Sequence, residues 1–437
     1  MTGRPDVIVV GAGFAGVAAS TALAERGAKV LILETRQRPG GRAYSWIDPK
    51  TGEVRDNGQH VLASFYIETM RLLKRIGTES AIEADPTFRM HLWERGRGDF
   101  DFACPRLPAP LHWLAALHSC KRLSVASRAV ALSLRGRARA LLSTDSEGQP
   151  LTVEEWLRRV SGNADIAAVL RPVALASLNE DPSEGSAKLF ARVLDRLLGA
   201  SAEESGLALP RRGLGDLLHG FENYVATRGG EVRFRATALS VRIEENRAAG
   251  LSLLGGEILD AGTVILAVPH ERLGWMLPPH HLGAHAGIAD VPWSPIVSTV
   301  HFYDRPILPS RFVGLLGTPT QWAFARGVDA EGRHAVGTVR SAAFADIERP
   351  LDAIAEETAR DLAEAFPIAR EAKLIRARVY KERRATMRAT PGVQRLRPPA
   401  ETAVHGLYLA GDWTDTGLPP TIESAVLSGH RVAALLR

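Results

Sequence analysis

The apolar residues near the N-terminus are grouped in a way that predicts two buried strands with a helix between them. Asp6–Val10 is apolar almost throughout, as a parallel-sheet strand buried on both faces should be. Ala15–Arg26 reads as a helix that stops at Gly27. Lys29–Leu33 is a second apolar run, and it ends in Glu34. This order of strand, helix and strand predicts a βαβ unit at the start of an α/β fold.

Further patterns of this kind predict two more groups of elements. Thr263–Pro269 and the beginning of Gly406–Gly417 read as short buried strands, and the second is followed by a C-terminal helix. Phe88–Asp101 alternates between apolar and polar residues, and similar strands with one amphipathic helix follow between residues 296 and 380. Ala103–Leu198 reads as mostly helical.

These elements predict an α/β protein in three parts. The first is a Rossmann-like nucleotide-binding domain assembled from three segments, residues 1–87, 205–272 and 400–437. The second is a mixed-sheet substrate-binding domain made of residues 88–102 and 273–399. The third is a helical insertion of residues 103–204.

Three glycines after the first strand have the spacing of a dinucleotide-binding turn. In a G-x-G-x-x-G run the glycines serve a tight turn, close approach of the backbone to a pyrophosphate, and close helix–strand packing. The N-terminus of the following helix supplies free N–H groups for the phosphate. Glu34 follows at a distance where a carboxylate can accept hydrogen bonds from ribose hydroxyls. The predicted contacts in the turn are Gly11, Gly13, Phe14, Ala15 and Gly16.

The stretch after Glu34 indicates which dinucleotide binds. Arg36-Gln-Arg-Pro-Gly-Gly-Arg42 resembles the Glu-x-Arg-x-x-x-Gly-Gly-Arg run of the FAD-binding amine oxidase and phytoene desaturase superfamily. An NAD-only domain has no need of a Gly-Gly-Arg just past the ribose acid. The resemblance implies that the paired glycines pass close to the pyrophosphate and that the arginine braces it. The implied FAD contacts here are Thr35, Arg36, Gly40, Gly41 and Arg42.

The resemblance implies cofactor contacts at three more places. The segment after Asp56 would run beside the isoalloxazine ring, and Val241 would contact the adenine, unless it is a plain core valine. Near the C-terminus a Gly-Asp pair would meet the ribityl or pyrophosphate end, and the helix after it would aim its N-terminus at the flavin N1/C2 edge. No cysteine follows Cys120, so the FAD is expected to be non-covalent. The implied residues are Asn57, Gly58, Gln59, His60, Val241, Gly411, Asp412, Pro420, Thr421 and Ile422.

Within this superfamily, the chain is most similar to the hydroxysqualene dehydroxylases of bacterial hopanoid pathways, which are squalene-associated FAD-dependent desaturase-like proteins. The similarity lies in residues 411–425, in Asp56–His60 and in Gln321–Trp322. It implies reductive dehydroxylation of hydroxysqualene to squalene by hydride from reduced flavin. His60 is the candidate proton donor and Asp415 is another, although a structural role is an alternative for each.

Other functions stay open at this point. The nearest alternative is a carotenoid desaturase of the phytoene type, in which hydride moves in the opposite direction. An amine oxidase is less favoured because nothing in the sequence suggests a cage for an ammonium substrate. A non-enzymatic flavin- or lipid-binding scaffold is a further alternative.

Composition restricts the class of protein. The net charge of +5 is a mild basic excess that does not by itself imply nucleic acid. Cys104 and Cys120 are too few for a disulfide framework, and their spacing matches no metal pattern, so no metal is expected. The early first strand leaves no room for a signal peptide, and no apolar run is long enough to span a bilayer. We therefore expect a cytoplasmic protein.

One basic segment suggests contact with a membrane surface. Ala103–Thr144 has no acidic residue between Asp101 and Asp145, and leucines and a tryptophan are interleaved with its cations. Such a pattern suits an amphipathic segment in an anionic membrane interface. The alternative is a helical hairpin packed on the core with a solvated basic face. We expect peripheral association with the inner face of the cell membrane, a long isoprenoid substrate, and upstream squalene-pathway synthases as candidate partners. The cations are Arg106, Lys121, Arg122, Arg128, Arg135, Arg137 and Arg139.

Overall fold

The structure is a computed structural model that describes residues 4–49, 52, 54–144, 150–161 and 164–436. In these ranges the strands are β1 (Val7–Val10), β2 (Val30–Glu34), β3 (Ser45–Ile47), β4 (Val54–Asp56), β5 (Leu62–Ala63), β6 (Ile82–Ala84), β7 (Arg89–Glu94), β8 (Gly98–Ala103), β9 (Leu207–Pro210), β10 (Glu231–Phe234), β11 (Ala238–Glu244), β12 (Arg247–Leu253), β13 (Ile258–Asp260), β14 (Val264–Leu266), β15 (Trp293–Tyr303), β16 (Phe312–Leu316), β17 (Trp322–Val328), β18 (His334–Arg340), β19 (Leu374–Met387) and β20 (Leu407–Leu409).

The α-helices are α1 (Phe14–Glu25), α2 (Ile67–Ile76), α3 (Leu111–Ser119), α4 (Val125–Ser143), α5 (Val153–Ser161), α6 (Ala164–Leu178), α7 (Ala187–Gly199), α8 (Phe221–Ala226), α9 (Leu273–Met276), α10 (Leu351–Ala365), α11 (Pro367–Glu371) and α12 (Ile422–Leu435). Short 3₁₀ segments lie at Glu79–Ala81, Leu214–Leu218, His270–Arg272, Pro279–Asp290 and Val393–Leu396. No helix in the described ranges is long and apolar enough to cross a bilayer.

A five-stranded parallel sheet is built from the predicted N-terminal, central and C-terminal parts of the chain. Its strand order is β10–β2–β1–β14–β20, and every neighbouring pair is parallel. The chain order reverses on the two sides of β1, and in such sheets ligands bind at the carboxyl ends of the strands beside this reversal. The predicted α/β class is confirmed, and β1, α1 and β2 differ from their predicted ends by about one residue. The boundaries of the three domains stay a prediction.

Helices α1 and α12 pack against each other on one face of this sheet. A Cβ atom on Gly429 would lie 2.2 Å from the carbonyl oxygen of Ala15, so only glycine fits at this crossing. Val9 and Ile265 of the sheet are buried beneath the two helices, together with Val426 of α12. The first and last helices of the chain therefore form one layer over the nucleotide-binding sheet.

The second large sheet is mixed and lies between two helical layers. Its order is β19–β15–β18–β17–β16–β7–β8, and only β16 and β7 pair in parallel. One face is covered by α10, where Leu362 packs on Val313 and its neighbours. The opposite face, which we call the inner face, packs against the helical region between β8 and β9, as Phe324 clusters there with Trp113 and Ile166. A long apolar layer therefore separates the sheet from these helices.

Candidate functional site

The glycine turn after β1 is a cradle made of backbone. Gly11 has a φ of +104°, and a Cβ atom there would lie 2.5 Å from the carbonyl oxygen of Ala267. A Cβ atom on Gly16 would lie 1.9 Å from the carbonyl oxygen of Gly11. Gly13 precedes α1 and no side chain caps the helix, so its first-turn N–H groups are available to a ligand. This arrangement fits a phosphate group.

Gly40 and Gly41 close the same cradle from a second loop. Both have positive φ values, +102° and +60°. A Cβ atom on Gly41 would come within 3.3 Å of the Cα atom of Gly13, so the two loops meet backbone to backbone. The Gly40 N–H group donates to the carbonyl oxygen of Ala12 at 2.9 Å. A pyrophosphate could therefore contact both predicted glycine runs at once.

Glu34 joins these two loops. Its carboxylate accepts the Ala12 N–H group at 2.9 Å and the Arg36 N–H group at 2.8 Å. Each carboxylate oxygen keeps a further acceptor site that could take a ribose hydroxyl. The Arg36 guanidinium donates to the carbonyl oxygen of Gly41 at 2.6 Å, and Thr35 is exposed beside it. Glu34 is thus a structural anchor of the cradle as well as the candidate ribose acid.

Arg42 links the N-terminal cradle to the C-terminal loop. Its guanidinium forms an ion pair with Asp412, donates to the carbonyl oxygen of Ala385 at 3.0 Å, and lies 5.0 Å above the Trp293 ring. The two residues come from opposite ends of the chain, and the resemblance implied a cofactor contact for both. The structure therefore holds these two predicted contacts together.

Arg38 is a half-buried cation near the cradle that the sequence analysis did not single out. Its guanidinium stacks 3.4 Å above the Tyr44 ring. One of its terminal nitrogens, Nη1, is buried and has no hydrogen-bond partner among the described residues. Burial lowers the pKa of this arginine. An unsatisfied guanidinium donor beside the glycine loops fits an anionic ligand there.

The loop after β20 is held by Arg397, a second residue that the sequence analysis missed. Its buried side chain donates to the carbonyl oxygens of Thr414 at 2.9 Å, Leu418 at 2.7 Å and Asp412 at 2.8 Å. A further bond reaches the Thr416 hydroxyl at 3.2 Å. Burial lowers the pKa of Arg397 to about 10, which still leaves it charged at neutral pH. A single buried cation thus sets the shape of the loop containing Gly411 and Asp412.

The start of α12 is fixed by its own buried carboxylate. Thr421 is the N-cap and accepts the Ser424 N–H group at 3.3 Å, so Pro420 and Ile422 flank the helix start. Glu423 is 1% exposed and accepts the Thr69 N–H group at 2.9 Å. It also accepts from Arg196 of α7 at 3.3 Å. The helix N-terminus is therefore tied to α2 and to the helical region.

The segment after β4 lies over the inner face of the mixed sheet. Asp56 accepts from Arg326 of β17 at 3.1 Å, and the same guanidinium donates to Gln59 at 3.0 Å. The Asn57 side chain donates to the carbonyl oxygen of Arg42 at 2.6 Å. These bonds fix the segment to the cofactor cradle on one side and to the sheet on the other.

Gly58 lies against the middle of β15, and the His60 ring lies beside Gly58. A Cβ atom on Gly58 would be 3.6 Å from the Ser298 Oγ atom and 3.9 Å from the His60 Cε1 atom. The Nδ1 atom of His60 is 3.2 Å from the carbonyl oxygen of Gly58. Burial lowers the pKa of His60, the bond to Gly58 opposes this, and the charges of Asp56, Glu382 and Arg326 have smaller effects. A charged ring donates from Nδ1 to Gly58 and carries a second proton on Nε2, which is the proton it can release.

The tryptophan of the Gln321–Trp322 pair lies on the inner face, whereas the glutamine has a structural role. Trp322 pairs with Val339 and belongs to the apolar cluster of that face. The Gln321 amide instead donates to the carbonyl oxygen of Ser341 at 3.1 Å and accepts its N–H group at 2.7 Å.

Two predicted site residues lie in surroundings that do not favour the predicted roles. Asp415 is exposed and accepts from Gln394 at 3.2 Å, so it lacks the enclosure of a proton donor in a dry site. Val241 is 8% exposed and packs in the core beneath β2. The backbone that lies beside Glu34, the candidate ribose acid, is that of Ala236, whose N–H group donates to the carbonyl oxygen of Glu34 at 3.0 Å.

The chain is similar to known proteins in both sequence and fold. The family described as flavin containing amine oxidoreductase matches residues 14–437. A hydroxysqualene dehydroxylase of Rhodopseudomonas palustris is 32% identical, with 98% of each chain covered. A 15-cis-phytoene desaturase of an Oncidium hybrid cultivar is 25% identical over 98% of this chain and 77% of that protein. An oxidoreductase structure from Methanosarcina mazei has the same fold, with a TM-score of 0.75, 17% identity, and coverage of 98% of this chain and 99% of that one.

Proposed function

The chain belongs to the flavin-containing amine oxidoreductase family and is an FAD-dependent oxidoreductase, and from this premise we propose that it reduces hydroxysqualene to squalene. The similarity to a hydroxysqualene dehydroxylase over nearly the whole of both chains supports this substrate. The observation that carries the proposal is the position of His60, a titratable imidazole beside Gly58, which itself lies over the inner face. Hopanoid synthesis is the corresponding pathway.

The described residues fit FAD. The uncapped start of α1 and the two glycine loops would hold the pyrophosphate, because neither Gly11 nor Gly16 leaves room for a side chain. Glu34 would accept from the ribose, and the segment after Asp56 would lie along the isoalloxazine ring. When bound in its reduced form, FAD supplies a hydride. The absence of a cysteine after Cys120 supports a non-covalent cofactor.

The apolar layer on the inner face supports a long hydrocarbon substrate. Ile296 and Trp322 of the sheet and Leu207 and Leu209 of β9 all pack on the apolar cluster of the inner face, and all four side chains keep partial exposure. The partial exposure of these apolar side chains supports a binding cleft on the inner face that is open to solvent. A chain of isoprene units would bury its surface there without needing polar partners.

Loss of a hydroxyl group from carbon requires a proton donor and the exclusion of bulk water. We assign the proton to His60, whose partly buried ring lies beside Gly58. As the carbon–oxygen bond breaks, the oxygen keeps the bonding electrons, takes the His60 proton and leaves as water, while the carbon accepts a hydride. The exposed Asp415 is the weaker candidate for this proton.

We also propose that the protein contacts a membrane through the start of the helical region. Residues 105–111, which we call the apolar loop, are all exposed, and Leu107 and Leu111 are 40% and 51% exposed. Arg106 lies between these apolar residues and could contact anionic lipid. By contrast, Arg135 and Arg139 of α4 pair with Asp195, at 3.3 and 3.1 Å. The proposed contact therefore shifts from the basic helix to the apolar loop, at the inner face of the cytoplasmic membrane.

A carotenoid desaturase of the phytoene type is the second candidate function. It is supported by the 25% identity to a phytoene desaturase over 98% of this chain. Such a reaction would need no proton donor for a hydroxyl group, so His60 would then have another role.

Co-expression tests the proposed function. In cells that make hydroxysqualene but contain no other route to squalene, we expect the protein to convert the alcohol to squalene, measured by mass spectrometry of extracted lipids. The matched control is Gly16→Val, because its side chain would overlap the carbonyl oxygen of Gly11 and prevent cofactor binding. Hydroxysqualene that accumulates equally with wild type and control would contradict the proposal.

A further inference from the structure

We infer that Ser298 binds the hydroxyl group of the substrate beside His60, an assignment that rests on the proposed function. Alternate residues of a strand share one face of a sheet. From Ile296 onward the inner-face row of β15 consists of Ile296, Ser298, Val300 and Phe302, and Ser298 supplies the hydroxyl of this stretch.

The neighbours of Ser298 leave its hydroxyl directed toward the His60 segment. Across the two adjacent strands Ser298 pairs with Val339 and Tyr380. Above it stands Gly58, whose missing side chain leaves the space between the Ser298 Oγ atom, 3.6 Å from the ideal Cβ position, and the His60 Cε1 atom, 3.9 Å from it. The serine and the imidazole therefore flank one position over the inner face.

The hydroxyl of Ser298 also differs from that of its neighbour in the strand. Thr299 points to the opposite face, where its hydroxyl bonds to the Thr338 hydroxyl at 2.7 Å and to His301 at 3.0 Å. Ser298 is 6% exposed, and its hydroxyl makes no hydrogen bond to any residue in the described ranges. Its hydroxyl therefore has free donor and acceptor capacity, which a ligand hydroxyl at this position could take up.

This pairing assigns separate tasks to the two residues. Ser298 would hold the substrate hydroxyl by donating to or accepting from it, and would keep its own proton throughout. His60 would give the proton with which the oxygen leaves as water. A hydrocarbon without a hydroxyl group would leave Ser298 unpaired, and sites built in this way discriminate strongly against such analogues. Ser298 would therefore select alcohols over plain polyenes.

Ligand binding to the oxidised holoenzyme tests the assignment without turnover, because dehydroxylation needs a reduced flavin. Dissociation constants for hydroxysqualene and for squalene are measured in the same detergent from changes in the flavin spectrum. We expect wild type to prefer hydroxysqualene at least tenfold, Ser298→Ala to lose most of that preference, and Ser298→Thr to retain it. Thr299→Val is the matched control, since it removes a hydroxyl from the opposite face of the same strand.

Two results would overturn the assignment, and they differ from failure of the proposed function. If wild type forms squalene when reduced but Ser298→Ala keeps the full preference, the role of Ser298 is wrong and the function stands. If Thr299→Val loses the preference as fully as Ser298→Ala, the effect is a general one on the sheet. If reduced wild type forms no squalene, the proposed function fails, and the assignment fails with it.

Discussion

Replacement of Arg397 by methionine should weaken FAD binding strongly while leaving a folded protein. Methionine fills a similar volume but provides no donors, so the carbonyl oxygens of Asp412, Thr414 and Leu418 lose their shared partner. These carbonyls belong to the loop that carries Asp412, and Asp412 pairs with Arg42 of the glycine cradle. Loss of the cation would therefore disturb the connection between the two ends of the chain.

The size of the effect follows from these three lost bonds. The Thr414 oxygen keeps the Thr416 N–H group at 2.8 Å and the Asp412 oxygen keeps the Ser424 hydroxyl at 3.3 Å, so the loss is counted in hydrogen bonds and not in unpaired acceptors. Three lost hydrogen bonds at a net contribution of about 1 kcal/mol each give about 3 kcal/mol. If the loop must recover its shape to hold FAD, affinity falls about 100-fold, since 1.4 kcal/mol is tenfold. Arg397→Lys keeps the charge and part of the bonding, so we expect a loss of about tenfold.

The assay is titration of apoprotein with FAD, followed by quenching of flavin fluorescence. Arg431→Met is the matched control, because Arg431 donates to the carbonyl oxygen of Asp415 at 3.0 Å from the exposed side of the same loop. We expect the control to bind FAD within about twofold of wild type, as exposed bonds contribute little. If Arg397→Met also binds FAD like wild type, the loop does not depend on its buried cation and the reasoning is wrong.

Three further predictions concern the acid, the histidine and the apolar loop. Glu34→Ala should purify with much less flavin than Glu34→Gln, because alanine leaves two N–H groups of the cradle without an acceptor. Equal flavin-to-protein absorbance ratios in the two variants would exclude a role of the Glu34 side chain in holding the cradle. The kcat/KM for hydroxysqualene should fall as pH rises through the pKa of His60, which burial lowers from its ordinary value, and His60→Gln should be slow and show no such fall. An unchanged pH profile in the variant would remove His60 as the donor. Replacing Leu107 and Leu111 with glutamine should reduce sedimentation with anionic liposomes at least fivefold, because each buried CH₂ contributes about 0.8 kcal/mol to binding. The control Leu254→Gln, which changes an exposed leucine in the turn between β12 and β13, should sediment like wild type, and equal sedimentation of all variants would exclude the apolar loop as the contact.

Local patterns in the sequence were enough to predict the nucleotide-binding start of the fold. Gly11, Gly13 and Gly16 lie within a few residues of the strand and helix they connect, so spacing alone indicated the turn. The resemblance then supplied residues that only the folded chain brings together. The pairing of Arg42 with Asp412 joins residues that are 370 positions apart.

The residues that sequence reasoning missed act through distant contacts. Arg397 has no motif around it, and its role appears only when the loop after β20 folds over its guanidinium. The face of Ser298 depends on the register of β15 with β18 and β19, which periodicity along one strand cannot fix. Val241 is buried in the core, and its contact with the adenine stays a prediction. Asp415 lies near the implied cofactor loop in sequence but points to solvent.

The most direct measurement is a single-turnover reaction between the anaerobically reduced holoenzyme and hydroxysqualene. We predict that the flavin spectrum returns to the oxidised form and that one squalene appears for each flavin reoxidised, because each hydride transferred ends one turnover. The oxidised holoenzyme should show no flavin reduction with phytoene. A reduced flavin that persists with hydroxysqualene, together with reduction of oxidised flavin by phytoene, would contradict the proposed direction of hydride transfer.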